Sequence, residues 1–391
     1  MNELMLIVRR PQIDRIRKAL HGGGGVVSVR AEQTQEAIEV TEFALTDVRD
    51  DYAIGIVDIG ACANTAELIM AFVRAIVATY ASTRPAVSHH TWSAARDEQW
   101  SRLADRASGR LYRAARDSET VSDESADLHL FTEAIDALER RAIEQPTILA
   151  LFGADELVAP RSRRRSRFED AEEMMWTLRS RLQHVEGSAY LALVGGPGTV
   201  DLVADDRAAF FGWGTEVELR WVAPRALRSA VFEVLQRSRP GHDAAQIVGS
   251  EFAAELAEDI AGLSSGSVML AQQLIDVLPL ARGHEDEFGM AGQPPRGRAD
   301  RALAVVIKLN AARLRQQTRF IKDLHPSALP IARALARGAP PYAGVKHATD
   351  ASRALDALRD YGLAVQLEPR QWKLADPLLA AWIRRPAGGG A

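Results

Sequence analysis

One cysteine, Cys62, stands in 391 residues. No internal disulfide can form, and a chain with a single thiol fits a reducing compartment, so the cytoplasm is the expected location. No stretch approaches 18 consecutive apolar residues, which excludes an ordinary membrane-spanning helix. Met1 to Leu4 shows no basic region leading into a long apolar segment, so no signal peptide is expected. A large excess of one charge is also missing. The net charge is −4, and both signs recur along the chain, which argues against a dedicated nucleic-acid coat. Cysteine and histidine never gather at ligand spacing. His89 and His90 beside Trp92 form a pair without the further Cys or carboxylate ligands that a metal site requires. No base stands in motif context beside Cys62, and no Ser-His-Asp set is recognisable, so nucleophilic catalysis has no candidate.

What remains is a chain with 47% hydrophobic and 26% charged residues, long enough for two or three cored domains. Apolar spacing predicts a helix over 4–20, with Pro11 near its start, and the four glycines at 22–25 make a turn. Strand-like runs follow at 26–29, 52–59, 147–152, 190–194 and 217–221. Helical patterns separate them at 33–48, 65–79, within a polar stretch at 86–145, and at about 169–185. Alternating strands and helices imply a parallel sheet. Residues 224–280 read as helical throughout. The Gly-, Pro- and charge-rich stretch 282–299 reads as a linker. Beyond it come helices, one of them at 349–361 with Thr349 as its N-cap, and two short strands near 363–367 and 371–374. Helices followed by a hairpin suggest a winged helix. The expected domains are therefore a sheet domain over 1–222, a helical lid over 223–281, the linker over 282–299 and a winged helix over 300–391.

Several local strings, in this order, resemble the STAND/AAA-type P-loop ATPases of bacteria and archaea, with an origin-recognition-like core. Arg10-Pro11-Gln12 resembles the segment before the first strand. Tyr52 to Asp58 resembles a second strand ending in an acid. Ile148-Leu149-Ala150-Leu151-Phe152-Gly153-Ala154-Asp155-Glu156 resembles a Walker B strand, and Ala189-Tyr190-Leu191-Ala192-Leu193-Val194-Gly195-Gly196 a sensor-1 strand. Trp372 to Trp382 resembles the end of the family's winged helix. The resemblance spans nearly the whole chain. It implies an α/β P-loop NTPase-like fold with a lid and a C-terminal winged helix.

The departure is at the phosphate loop. A working loop needs glycines, so that backbone N–H groups can cradle phosphate, then a Lys and a Ser/Thr for phosphate and Mg²⁺. After Val29 the chain reads Arg30-Ala31-Glu32-Gln33-Thr34-Gln35-Glu36-Ala37, without a glycine. By spacing, Glu36 stands at the Lys position and Ala37 at the Ser/Thr position. Two unit charges at 4 Å interact by about 1 kcal/mol in water and roughly 4 kcal/mol at an effective dielectric of 20, so a triphosphate meets repulsion of that size where a Lys would give attraction. No ATP–Mg²⁺ binding and no other cofactor is expected. In an active relative Asp155 and Glu156 would hold Mg²⁺ and polarise water. Without bound phosphate they read as carboxylates at a strand end, solvated or capping the next helix. Gly195-Gly196-Pro197-Gly198 follows a strand but no Lys follows it, so it reads as a structural turn.

Two features could meet nucleic acid. Arg161, Arg163, Arg164, Arg165 and Arg167 form the densest basic run, which could also be a solvated loop. No aromatic residue interleaves them, so base stacking is not suggested. In the expected winged helix, Lys346 and Arg353 are the candidate contacts, although helix 349–361 sums to −1. The expectation is a catalytically degenerate scaffold or regulatory subunit that binds a protein partner, within a multi-component and for example defence-type system. DNA binding through the arginine run and the winged helix is the alternative, and an ATPase with an unorthodox nucleotide site is the third reading. The oligomeric state is left open.

Overall fold

The computed structural model describes residues 3–22, 25–80, 127–158, 168–185, 187–237, 250–278, 295–343, 345, 347–368 and 371–385. They divide into two compact units. One takes in Pro11–Leu219; the other combines Met1–Arg10 with Arg220–Ala391. The division falls inside the first helix, α1 (Glu3–His21), which carries Pro11 in its interior rather than near its start.

The first unit is a parallel sheet. Its strands are β1 (Val26–Ala31), β2 (Ala53–Asp58), β3 (Thr147–Phe152), β4 (Ala189–Gly195) and β5 (Thr215–Leu219), in the spatial order β2-β3-β4-β1-β5. All four strand pairs are parallel. The central strands explain themselves. Every residue of β3 (TILALF) and β4 (AYLALVG) is buried, as a strand covered on both faces requires. The helices between strands are α2 (Thr34–Val48), α3 (Thr65–Tyr80), α4 (Leu128–Glu144) and α5 (Ala171–His184). α2 packs on β1 and β4, α3 on β2, and α3, α4 and α5 pack in succession. Phe72 of α3 meets Phe131 of α4 edge to face, with ring centroids 5.1 Å apart, inside one continuous apolar cluster. Asp127 caps α4 by accepting from the Leu130 N–H at 2.9 Å. A short helix, α6 (Asp201–Ala204), lies between β4 and β5. The last strand begins two residues earlier than the sequence pattern indicates, because only two of its five residues are buried.

The second unit is helical up to its final hairpin. It holds α7 (Pro224–Arg237), α8 (Ser250–Ser264), α9 (Val268–Asp276), α10 (Pro295–Leu309), α11 (Ala311–Leu324), α12 (Ala328–Ala336) and α13 (Ala348–Asp360). The antiparallel strands β6 (Ala364–Glu368) and β7 (Gln371–Leu374) and the closing helix α14 (Pro377–Arg384) follow. α10 starts at Pro295, so residues 295–299 of the expected linker are helical; the linker's earlier residues lie outside the described ones. α10 packs on α8, with Ala299, Ala302 and Val306 fully buried. The Arg298 guanidinium lies 5.1 Å from the Phe252 ring centre. Asp376 caps α14 through the Leu378 and Leu379 N–H groups and pairs with Arg313 of α11 at 3.2 Å. The Trp382 Nε1–H donates to the Thr318 hydroxyl. α13 starts at Ala348, so Thr349 lies inside its first turn instead of capping it, and His347 at the N-cap makes no side-chain bond. Among the described residues no helix is long and apolar enough to cross a membrane.

Gly55 tests the helix–sheet contact in the first unit. A Cβ there would stand 2.6 Å from the Ala75 carbonyl oxygen of α3. Gly55→Ala must push α3 off β2, at about 1–3 kcal/mol as for other overpacked cores. Thermal melting of the full chain should show a transition lowered by roughly 2–10 °C. An unchanged midpoint would mean that α3 does not bear on this glycine.

Candidate functional site

In an open parallel sheet, ligands bind outside the carboxyl ends of the strands, where successive connections leave in opposite directions. Here β1 lies between β4 and β5, while the chain goes from β1 out to β2 at the far edge. The place to examine is therefore the shared carboxyl edge of β1, β3 and β4.

The β1 exit is short. The strand ends at Ala31, and α2 begins at Thr34, leaving Glu32 and Gln33 as the whole connection. Gln33 is extended, with φ −117° and ψ 114°. Its carbonyl oxygen accepts from the Glu36 N–H at 2.9 Å and from the Ala37 N–H at 3.4 Å. Two first-turn donors that a phosphate could use are thus already taken within the turn. No residue from 31 to 37 has a positive φ, so the backbone forms no glycine-type anion nest there. Glu36 is 5% exposed and Ala37 fully buried. The Ala37 carbonyl oxygen accepts the Thr41 hydroxyl at 2.8 Å. Both candidate positions therefore stand in the first turn of α2, packed inward, where an acid is favoured by the helix dipole.

Asp155 and Glu156 are not at the strand end. β3 stops at Phe152, Gly153 turns the chain at φ +77°, and the pair sits on a 3-10 turn, Ala154–Leu157. Glu156 is exposed. Asp155 keeps part of its surface open, but its carboxyl is walled in by the loop that leaves β4. Its Oδ1 accepts from the Gly196 N–H at 2.9 Å. A Cβ on Gly195 would stand 2.2 Å from that oxygen, and one on Gly196 would stand 2.9 Å from Oδ2 and 3.0 Å from the Thr34 hydroxyl; one on Gly198 would meet the Asp155 Cβ at 3.3 Å. Gly195 and Gly196 are needed because a carboxylate lies against their backbone. This corrects the expectation of a solvated or helix-capping carboxylate: Asp155 caps no helix and instead joins the β3 exit to the β4 exit. Burial pushes its carboxyl above the ordinary carboxylate range, and the Gly196 N–H opposes that shift only in part. Beside it, Thr199 is fully buried, and its hydroxyl finds no hydrogen-bond partner among the described residues.

The other expected contacts are not brought to this edge. Arg161, Arg163, Arg164, Arg165, Arg167, Lys346 and the His89-His90 pair lie outside the described residues. Arg353 is exposed on α13, in the second unit. Arg359 of the same helix pairs with Asp356 at 3.1 Å and Asp360 at 3.5 Å. Among the described residues no group of three or more His, Cys, Asp or Glu could hold a metal ion. Thr34 and Thr199 were not singled out by the sequence. No local pattern marks them, since their place depends on which strands are neighbours.

No family model matches this chain, and no curated protein does. Solved structures do. The Walker-type ATPase PABY2304 of Pyrococcus abyssi is 16% identical, with 97% of this chain and 96% of that one covered, at a TM-score of 0.61. The ORC2 protein of Aeropyrum pernix, solved in ADPNP–ADP complexes, is 14% identical over 96% of this chain and 92% of that one, at a TM-score of 0.54. At such identities the likeness is one of fold. The chain has the ORC-like P-loop ATPase fold.

Asp155 makes stability depend on pH. A carboxyl whose pKa is raised by folding holds its proton more tightly in the native state. Above the raised value the fold carries the full cost of a buried charge, and that cost is relieved as pH falls through it toward 3.8. Asp155→Asn keeps an oxygen for the Gly196 N–H and removes the charge. Melting at pH 7.5 should show the variant at least as stable as the original chain, with the difference shrinking toward pH 4. A variant clearly less stable at pH 7.5 would mean that the charge itself holds the two exits together.

Proposed function

We propose that this chain is a nucleotide-independent scaffold or regulatory subunit, a P-loop ATPase fold whose business is binding a protein partner. One observation carries the reading: the two-residue, glycine-free connection from β1 to α2, with Glu36 buried in the first helical turn. A phosphate loop closes around its anion with backbone N–H groups and a Lys. This connection is too short to encircle a phosphate, its first-turn donors are engaged, and the charge at the Lys position is reversed. The Asp155 carboxylate lies against the glycines of the β4 exit instead of facing a metal-bound nucleotide. Asp155 and Glu156 are then structural and surface residues respectively, with no hydrolysis to perform.

The partner must use another surface. The helices of the lid and the C-terminal segment offer it, and α11 through α14 with the β6–β7 hairpin are read as a winged helix used for protein contact. Arg353, the expected DNA-contacting residue of that module, stands on a helix with two Arg against three Asp, one Arg of which is held by two of the Asp. A helix that reads DNA needs free cations for phosphate, so DNA recognition through α13 has less support than protein binding.

The reading is tested with nucleotide. A ligand present at 100 times its Kd would raise stability by about 2.7 kcal/mol. With 1 mM ATP and excess Mg²⁺ the melting midpoint should not move, and calorimetric titration should be flat. A clear upward shift would end the scaffold reading and favour an ATPase with an unorthodox site.

A further inference from the structure

The low net charge conceals a strong segregation. Residues 295–391 hold 17 Lys and Arg against 7 Asp and Glu, a net +10, while residues 1–294 hold 31 against 45, a net −14. The expectation of evenly mixed charge is therefore corrected: the two parts nearly cancel. Within the basic part, α10 and α11 each carry four cations against one Asp; on α10 Arg298 and Arg301 are engaged, whereas α11 presents Arg313, Arg315, Arg319 and Lys322 against Asp323. Arg313 is engaged by Asp376. Arg315, Arg319 and Lys322 are exposed, and none of the three has a hydrogen-bond or ion-pair partner among the described residues. Their i, i+4, i+7 spacing places them in one row about 10 Å long. On the flank of the helix Phe320 remains 38% exposed, its ring edge-to-face on Tyr361 at 5.1 Å. Uncompensated cations in a row, flanked by an aromatic ring, have the composition of a protein-binding surface, where Arg and aromatic residues supply most of the affinity.

We infer that the Arg315–Arg319–Lys322 face of α11 is the docking surface for the protein partner and that the partner presents acidic, partly apolar chain to it. The inference rests on the scaffold reading and names the chemistry of its partner. Charge complementarity selects an acidic occupant. A nucleic acid is a poorer fit, because the helix that would read it in a winged helix, α13, is net negative. An acidic protein segment needs only the local row, since a Debye length of about 8 Å at physiological salt hides the rest.

The test uses the full chain at 150 mM salt with two probes, each followed by fluorescence anisotropy: an 18-residue amphipathic helical peptide of Glu and Leu, and a 20-base-pair duplex of random sequence. The peptide should bind more tightly than the duplex. R315E/R319E/K322E should weaken peptide binding by roughly 30-fold, R353E should change it less than about threefold, and the charge-retaining R315K/R319K should keep it near the original. Melting curves confirm that the variants fold. Tighter binding of the duplex through the same three residues would make this a nucleic-acid surface and overturn the inference. So would absence of peptide binding, insensitivity to the triple reversal, or a dimer in size-exclusion chromatography that the triple reversal dissolves, since the occupant would then be a second copy. A nucleotide-induced thermal shift with stripe-dependent peptide binding intact would sink the scaffold reading alone, whereas a flat nucleotide response without peptide binding would sink this surface alone.

Discussion

The hydrogen bond from the Gly196 N–H to Asp155 organises the carboxyl edge of the sheet. It joins residues 41 apart in the chain, and it requires β3 and β4 to be neighbours with their exits turned toward each other. Gly153 makes the turn that brings the carboxylate over, and Gly195 and Gly196 make the room for it. Thr34, at the start of α2, closes the same spot from the β1 side. Once a protein carboxylate occupies the place, strand order, loop composition and helix start are constrained together, because a methyl group added at Gly195 or Gly196 would collide with it.

Much of the fold was legible in the chain itself. β3 and β4 are buried on both faces, so each reads as an unbroken apolar run between turns. The apolar pattern places β5 two residues late, because only two of its five residues are buried and the pattern fades into the neighbouring loop. The glycine-free connection after β1 was legible as well: no glycine stands between Val29 and Ala37, and the structure spans β1 to α2 with Glu32 and Gln33 alone. The role of Asp155 was not. Its partner comes from a distant loop, and a carboxylate after a strand looks the same whether it faces water, a metal or a glycine. The helix over 4–20 was legible from its apolar spacing, but Pro11 stands in its interior with eight helical residues before it, not near the start where proline is best tolerated.

The charge segregation was present in the composition and hidden by its own cancellation. A net of −4 describes neither part of the chain. In the second unit the consequence is local. Asp356 and Asp360 hold Arg359, Asp376 holds Arg313, and the row on α11 is left uncompensated. Which cations have carboxylates within reach decides which helix can attract an anion, and the sequence total gives no information on that point.

The length of the connection between β1 and α2 bears on descent. A change of side chain is reversible: one substitution could put a lysine at position 36. A connection of two residues is not lengthened by substitution: a phosphate cradle needs several residues with glycine backbone geometry, and those must be inserted between a strand and a helix already packed into the core. Any inserted loop would then meet the Asp155 carboxylate on the far side of the same space. A lineage carrying both features can modify its binding surfaces one residue at a time, but it gains a glycine-lined cradle only by insertion.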